Sequence, residues 1–216
     1  MHFDYSKNRD RNFYKAAIPL IKAYASAHFS ISCYGKENIP KEKSGLIVAC
    51  NHISFADPAV IISHFPYSIH FMAKSELFEN PATAFLMRNL NAFPVRRGLS
   101  DREALKYACR ILNEDKILGI FPEGRRVRSA VPEKAKRGVA FIARRTGSDI
   151  LPASLYVDPR EDVMRPELTL RFGRVLKNSE LFPGENIRSP ELEKASDYIM
   201  ETIEKLWEKK HGNSCS

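Results

Sequence analysis

The sequence predicts a single α/β domain in which a central, mostly parallel or mixed sheet is flanked by helices, with an amphipathic helical segment at the N-terminus. Three observations lead there. A chain of 216 residues with 44% hydrophobic content can build one substantial core and is too apolar for wholesale disorder. Between residues 45 and 176, short β-prone runs alternate with helix-like stretches, the pattern of a sheet with helices on its faces. Short polar motifs also fall just past the ends of four predicted strands, which is where α/β sheets bind ligands. The expected organisation is an N-terminal segment over 1–36, an α/β domain over 37–210 and a frayed tail over 211–216.

In the N-terminal segment, Phe13, Tyr14, Ala17, Ile18, Ile21, Tyr24, Ala25 and Phe29 recur at helical spacing, with Lys15 and Lys22 on other faces. Pro19 is expected to kink or split this helix. The apolar stripe has two readings. It can pack on its own domain, or it can lie in a membrane surface with Phe13, Tyr14, Ile18, Ile21 and Tyr24 dipping into lipid while Lys7, Arg9, Arg11 and Lys15 meet anionic headgroups. It is not a spanning helix, because Pro19, Lys22 and His28 interrupt the roughly 20 apolar residues a bilayer requires. Nor does the segment read as a signal peptide.

After a charged turn over 34–44 that contains Gly35 and Pro40, strands are predicted at 45–50, 68–72, 92–95, 117–121, 150–157 and 167–176. Helices fill the intervals. Asp57-Pro58 reads as an N-cap and first-turn pair opening one of them. Ser100-Asp101-Arg102-Glu103 reads as a capping box for another, which buries Ala104, Leu105, Ala108, Ile111 and Leu112. A third is expected over 133–146, stopped by Gly147. The last begins at Ser189-Pro190 and sets Leu192, Ala195, Ile199, Ile203, Leu206 and Trp207 on one stripe.

The net charge of +8 is unevenly spread. Residues 1–36 hold six Lys/Arg against two Asp, and residues 122–145 hold eight against two Glu, so the remainder is slightly acidic. Basic clusters suit anionic lipid, phosphorylated substrates or nucleic acid, and charge alone does not choose among them. The Arg-rich stretch over 125–145 offers the alternative of a non-catalytic basic domain that binds nucleic acid, but it has Phe141 as its single aromatic and no nucleic-acid motif, so stacking readout would be poor and no nucleic-acid partner is expected. Cys33, Cys50, Cys109 and Cys215 lack CxxC spacing, which argues against a zinc site or a disulfide framework. Cys50 is expected to be a buried thiol.

The most informative motif is Asn51-His52-Ile53-Ser54-Phe55-Ala56-Asp57-Pro58, directly after the apolar run Leu46-Ile47-Val48-Ala49. A histidine titrates nearest neutrality, and a carboxylate bonded to one ring nitrogen holds the other as a proton acceptor, which suits activation of a hydroxyl. Lys74, Arg96-Arg97 and the segment 123–126 follow three further predicted strands. A shared site would then hold a base, one or two carboxylates and several fixed cations, a set matched to a phosphate-bearing substrate. Glu123 could receive a substrate hydroxyl.

These motifs resemble the signatures of the glycerolipid acyltransferase family, whose bacterial members include 1-acylglycerol-3-phosphate acyltransferases. Asn51-His52-xxxx-Asp57 is similar to the first signature, Phe93-Pro94-Val95-Arg96 to the second, Phe121-Pro122-Glu123-Gly124-Arg125-Arg126 to the third and Ile150-Leu151-Pro152 to the fourth. The likeness covers residues 45–160. It implies that His52 is the general base and Asp57 its orienting partner. Arg96, Glu123, Gly124 and Arg126 become the acceptor-binding group, joined by Asn51 from the first signature and Lys74 between signatures. The sequence departs from the family at Arg125, where a small hydroxyl residue is usual, and at Val127, a commonly polar position.

The resemblance further implies transfer of an acyl group from acyl-CoA or acyl carrier protein to the sn-2 hydroxyl of lysophosphatidate, forming phosphatidate, with no metal and no cofactor beyond the thioester co-substrate. Glycerol 3-phosphate or another lyso-lipid, such as a lyso-ornithine lipid, would use the same His–Asp pair. Ser54 is placed to suggest an acyl-serine intermediate, but no nucleophile-elbow glycines surround it, which favours direct transfer. A lipid acceptor gives the N-terminal segment a purpose, and the expected location is peripheral, on the cytoplasmic face of a membrane.

Overall fold

The computed structural model describes residues 11–42, 44–96, 101–127, 131–158, 164–184 and 189–209. Along them run α1 (Arg11–His28), β1 (Ser30–Tyr34), β2 (Leu46–Cys50), α2 (Asp57–His64), β3 (Ile69–Lys74), α3 (Pro81–Asn89), β4 (Ala92–Val95), α4 (Arg102–Asn113), β5 (Ile117–Ile120), α5 (Gly138–Thr146), β6 (Asp149–Val157), β7 (Glu167–Phe172), α6 (Asn178–Leu181) and α7 (Ser189–Glu208). The strands form one sheet in the order β1-β7-β6-β2-β5-β3-β4. Every pairing is parallel except β6 with β7, so the predicted mixed α/β sheet is what forms.

β2 is apolar and buried at all five positions because both faces of the sheet are covered. Ile47 and Ala49 enter the core shared with α4, α5 and α7, whereas Leu46, Val48 and Cys50 enter the core shared with α1 and α2. Each fully buried Ile or Val side chain there contributes about 2 kcal/mol. Cys50 is buried as expected, and desolvation holds its thiol well above the ordinary range.

α7 buries Ala195, Ile199 and Ile203 on the stripe the spacing predicts, and Trp207 meets Tyr156 edge-on with ring centroids 5.6 Å apart. α4 buries Ala104, Ala108, Ile111 and Leu112 as expected. Its N-cap is Asp101, whose carboxylate accepts from Ala104 N at 3.2 Å. Ser100, expected to open the capping box, lies outside the described residues, as do Lys7, Arg9, Arg97, Cys215 and the tail 211–216.

Several elements differ from expectation. β1 extends the sheet inside the segment 1–36, pairing with β7, and its half-exposed alternation at one edge left little hydrophobic signal. α1 continues through Pro19 as one helix. Among its predicted lipid-facing residues, Tyr14 is buried and Ile18 and Ile21 pack against the α1/α2 core, because α1 lies along α2. Phe13 is half-buried and meets Phe85 of α3 at 5.7 Å, while Lys15 and Tyr24 remain exposed. Among the described residues no helix is long and apolar enough to cross a membrane.

α5 begins at Gly138, not near 133, because Glu133 N and Lys136 N donate to Glu123 and Pro122 rather than to a helical ladder. β7 ends at Phe172. Beyond it, Gly173 N donates to Pro152 O and Leu176 makes an isolated antiparallel bridge to Ile150, a looser return than a strand.

Candidate active site

Asn51 closes β2 in an unusual way. Its side-chain amide donates to Leu155 O at 2.9 Å and accepts from Leu155 N at 2.8 Å, continuing the ladder to β6 with a side chain after the backbone has turned off. With both ends of its amide bonded to Leu155 and the residue fully buried, Asn51 holds the turn that delivers His52.

The turn delivers His52, whose peptide is clamped from both sides by the segment after β5. Its N–H donates to Glu123 Oε2 at 2.9 Å, and its carbonyl accepts from Val127 N at 2.8 Å. The imidazole lies 2.7 Å from Asp57 Oδ2 through Nδ1 and stacks on Phe121 with centroids 4.0 Å apart. A carboxylate can only accept, so Nδ1 carries a proton, which in the neutral ring leaves the lone pair on Nε2. Among the described residues Nε2 has no protein partner.

Asp57 does not cap α2. Ala56 holds the N-cap position without a side-chain bond, and Asp57 is the first helical residue. Its Oδ2 accepts from Ile53 N at 2.7 Å and Ser54 N at 2.8 Å as well as from His52, so one oxygen organises the whole loop between base and carboxylate. The helix N-terminus favours the negative charge there. Ser54 Oγ accepts from Ala56 N at 3.2 Å and makes no bond to His52, so the hydroxyl braces the loop.

Behind the imidazole stands a stack that the motifs did not announce. An added Cβ at Gly119 would lie 2.2 Å from the Phe71 ring, so only glycine leaves room for that ring on β5. Phe71 stacks on Phe121 at 5.7 Å, and Phe121 stacks on His52. A glycine within an apolar strand run was the available signal, since it marks close approach of another group.

Phe121 to Gly124 form a turn with Gly124 N donating to Phe121 O at 3.0 Å, Pro122 second and Gly124 fourth. Gly124 has φ +70, which explains the glycine without a ligand. Glu123 is 3% exposed and accepts from His52 N and, at 3.5 Å, Glu133 N. Both of its oxygens hold backbone amides in this structure. Burial pushes its pKa up to about 7 from 4.5, with Glu133 and Asp57 adding repulsion against the partial relief of the two amide bonds.

That shift has a measurable sign. The native state binds the Glu123 proton more tightly than the unfolded chain does, so its contribution is fully present below about pH 4.5 and is lost as pH rises through about 7. The loss amounts to roughly 3 kcal/mol. Glu123→Gln, which keeps an acceptor for His52 N, should flatten this slope. Urea unfolding of both proteins at pH 5 and pH 8 checks it, and parallel slopes would show that Glu123 does not titrate in this window.

Lys74 and Arg96 sit at neighbouring strand ends, since Lys74 pairs in register with Val95. The order β2-β5-β3-β4 puts them on the same carboxyl edge as His52. Lys74 pairs with Glu76 at 2.7 Å, and Arg96 meets Asp101 through its backbone N at 3.0 Å and Nε at 3.5 Å. Both pairs leave the cations solvent-accessible, at 48% and 65% side-chain exposure. Arg125 pairs with Glu133, whereas Arg126 lies 3.5 Å over the ring of Phe55, an exposed residue of the His52–Asp57 loop. Phe55 is thus a further site residue that motif spacing did not single out.

Residues 30–156 match the Acyltransferase family model, a span that includes β1 and reaches into β6. The chain belongs to the Acyltransferase family. This acyltransferase is 35% identical over 142 residues to the 1-acyl-sn-glycerol-3-phosphate acyltransferase of Bacillus subtilis, an overlap of 65% of this chain and 70% of that one. It is 35% identical over 132 residues to the enzyme of the same name from Borreliella burgdorferi, covering 60% of this chain and 52% of that one. The crystal structure of the 1-acyl-sn-glycerophosphate acyltransferase PlsC from Thermotoga maritima shares its fold, with a TM-score of 0.71 and 24% identity over 98% of this chain and 87% of that one. In the acyltransferase described here, His52 touches Asp57, Phe121 and Glu123 directly, and Lys74 and Arg96 lie at strand ends on the same edge of the sheet.

Proposed function

We propose that this acyltransferase moves a fatty acyl group from a CoA or acyl carrier protein thioester to the sn-2 hydroxyl of 1-acyl-sn-glycerol 3-phosphate, yielding phosphatidate, with His52 as general base. The observation that carries the reading is the His52–Asp57 pair at 2.7 Å, with Nε2 left over, on a sheet edge furnished with exposed cations. The shared name of the 35% identical relatives supports the acceptor.

His52 Nε2 takes the hydroxyl proton as the oxygen attacks the thioester carbonyl. Asp57 stabilises the imidazolium, the tetrahedral intermediate collapses with loss of the C–S bond, and the departing thiolate takes the proton from Nε2. Arg96, Lys74 and Arg126 hold the acceptor phosphate and thereby orient the hydroxyl. No metal or cofactor is invoked. The enzyme works at the membrane surface, on the cytoplasmic face, where α1 exposes Leu20 at 73% and Tyr24 at 48%, with Lys15 exposed elsewhere around the helix.

Thiol release from palmitoyl- or oleoyl-CoA in mixed micelles, with and without lysophosphatidate, tests the reading. Release should depend on the acceptor, and the product should be phosphatidate. Arg96→Ala should raise the KM for lysophosphatidate about tenfold, the loss of one charge-assisted contact. Release without acceptor would identify a thioesterase instead. No release from either CoA or acyl carrier protein thioesters would remove lysophosphatidate as the acceptor.

A further inference from the structure

The opposite edge of the sheet carries a second basic site. α2 starts at the carboxyl end of β2 and leads back to the amino end of the parallel β3, so its last turn lies away from His52. There α1, the turn after β1 and the end of α2 enclose an open cavity of about 440 Å³ lined by Lys22, Lys36, Lys41, Ser63, His64 and Tyr67 among others. That volume is in the range of small-molecule sites.

The walls are built to hold their shape. Gly35 has φ +74, and an added Cβ would sit 2.0 Å from Phe172 O, the same oxygen that accepts from Asn38 Nδ2 at 3.0 Å. These contacts fix the turn bearing Lys36. On the other rim, the Tyr67 hydroxyl is shared between the carbonyls of Pro40 at 3.1 Å and Lys41 at 2.5 Å. His64 is anchored through Nδ1, 3.1 Å from Val60 O and 2.8 Å from Ser63 Oγ.

The charges have no direct partner. No carboxylate lines the cavity, although Glu37 and Glu42 follow Lys36 and Lys41 in the chain, and among the described residues Lys22, Lys36 and Lys41 make no ion pair. Elsewhere in the fold Lys74, Lys106, Lys116, Lys134, Lys177 and Lys205 each pair with a carboxylate, and the other described lysines without an ion pair, Lys15, Lys136 and Lys194, are not gathered around one cavity. Three ammonium groups around one concavity repel one another and focus a positive potential into it, which an anion relieves. Burial holds the His64 pKa below its ordinary value, and Lys36 and Lys22 push it the same way.

We propose that this cavity is a second anion site, separate from the acyl-transfer centre, which binds a phosphate-bearing ligand through Lys22, Lys36 and Lys41. A phosphate offers several oxygens to three point-charge donors, while the Ser63 hydroxyl, which donates to Val60 O at 2.7 Å, and His64 Nδ1 are already committed to the end of α2. The phosphate can come from a phospholipid headgroup approaching along α1 or from a soluble phosphate ester. The proposal does not depend on the acceptor assigned to His52.

Two arms test it with the full chain. In solution, the His64 ring signals in nuclear magnetic resonance should move saturably with inorganic phosphate. The K36Q/K41Q variant should bind about tenfold more weakly or worse, and K36R/K41R should retain binding. On membranes, sedimentation with phosphatidylcholine vesicles should increase when they contain phosphatidate, and K36Q/K41Q should lose the increase. A response in the first arm alone assigns a soluble phosphate, and a response in the second assigns the headgroup. If neither response depends on Lys36 and Lys41, the site does not exist. All three lysines are exposed, so these variants leave the core intact.

Discussion

His52→Ala should lower kcat for acyl transfer by about three orders of magnitude, with little change in either KM. The size follows from what the ring alone does. The anchors of the loop run through the His52 peptide, whose N–H and carbonyl are held by Glu123 and Val127, and alanine keeps both. What disappears is Nε2, the proton acceptor, together with the Nδ1 bond to Asp57 and the stack on Phe121. Loss of the bond and the stack costs about 2–4 kcal/mol of stability, less than the stability of a typical domain. Ser54→Ala is the control. It removes a bond to Ala56 N and no contact with His52, so most activity should survive if the acceptor attacks the thioester directly. Steady-state kinetics on folded variants decide: loss of activity with Ser54 and retention without His52 would establish an acyl-serine route.

The sheet was legible because its strands are buried on both faces. Leu46 to Cys50 and Ile117 to Ile120 read as apolar runs with no polar face to disguise them, and parallel strands joined by helices leave that mark. β1 was not legible, since an edge strand with alternating half-exposed residues looks like the turn that follows it. His52 and Asp57 could be paired from spacing because both lie in one loop. The roles of Asn51 and Glu123 could not, because each is defined by a backbone partner 104 or 71 residues away. Polarity in a motif reads naturally as substrate contact, yet here two of its polar side chains replace backbone hydrogen bonds that the turning chain gives up. The apolar support was hidden for a related reason: Gly119, Phe71 and Phe121 come from adjacent strands and meet only once β3 lies beside β5.

Asp57→Asn should lower kcat about a hundredfold, less than loss of His52, because asparagine can keep the geometry while losing the charge. Three donors converge on Oδ2: His52 Nδ1, Ile53 N and Ser54 N. An amide NH2 in that place would face all three, so the asparagine oxygen takes it and the amide nitrogen falls where Oδ1 lies. Oδ1 is buried with no hydrogen-bond partner among the described residues, so the variant should also lose about 1–3 kcal/mol of stability. With the oxygen in position the tautomer is unchanged, and the cost to catalysis is the counter-charge for the imidazolium, about 1.5–3 kcal/mol for a charge-assisted hydrogen bond. Tenfold corresponds to about 1.36 kcal/mol, which sets the hundredfold expectation. A positioning residue that works through His52 has nothing further to lose once His52 is gone. In the double variant His52→Ala/Asp57→Asn, kcat should therefore match His52→Ala alone. Multiplicative losses would mean that Asp57 acts on the reacting groups independently of the imidazole.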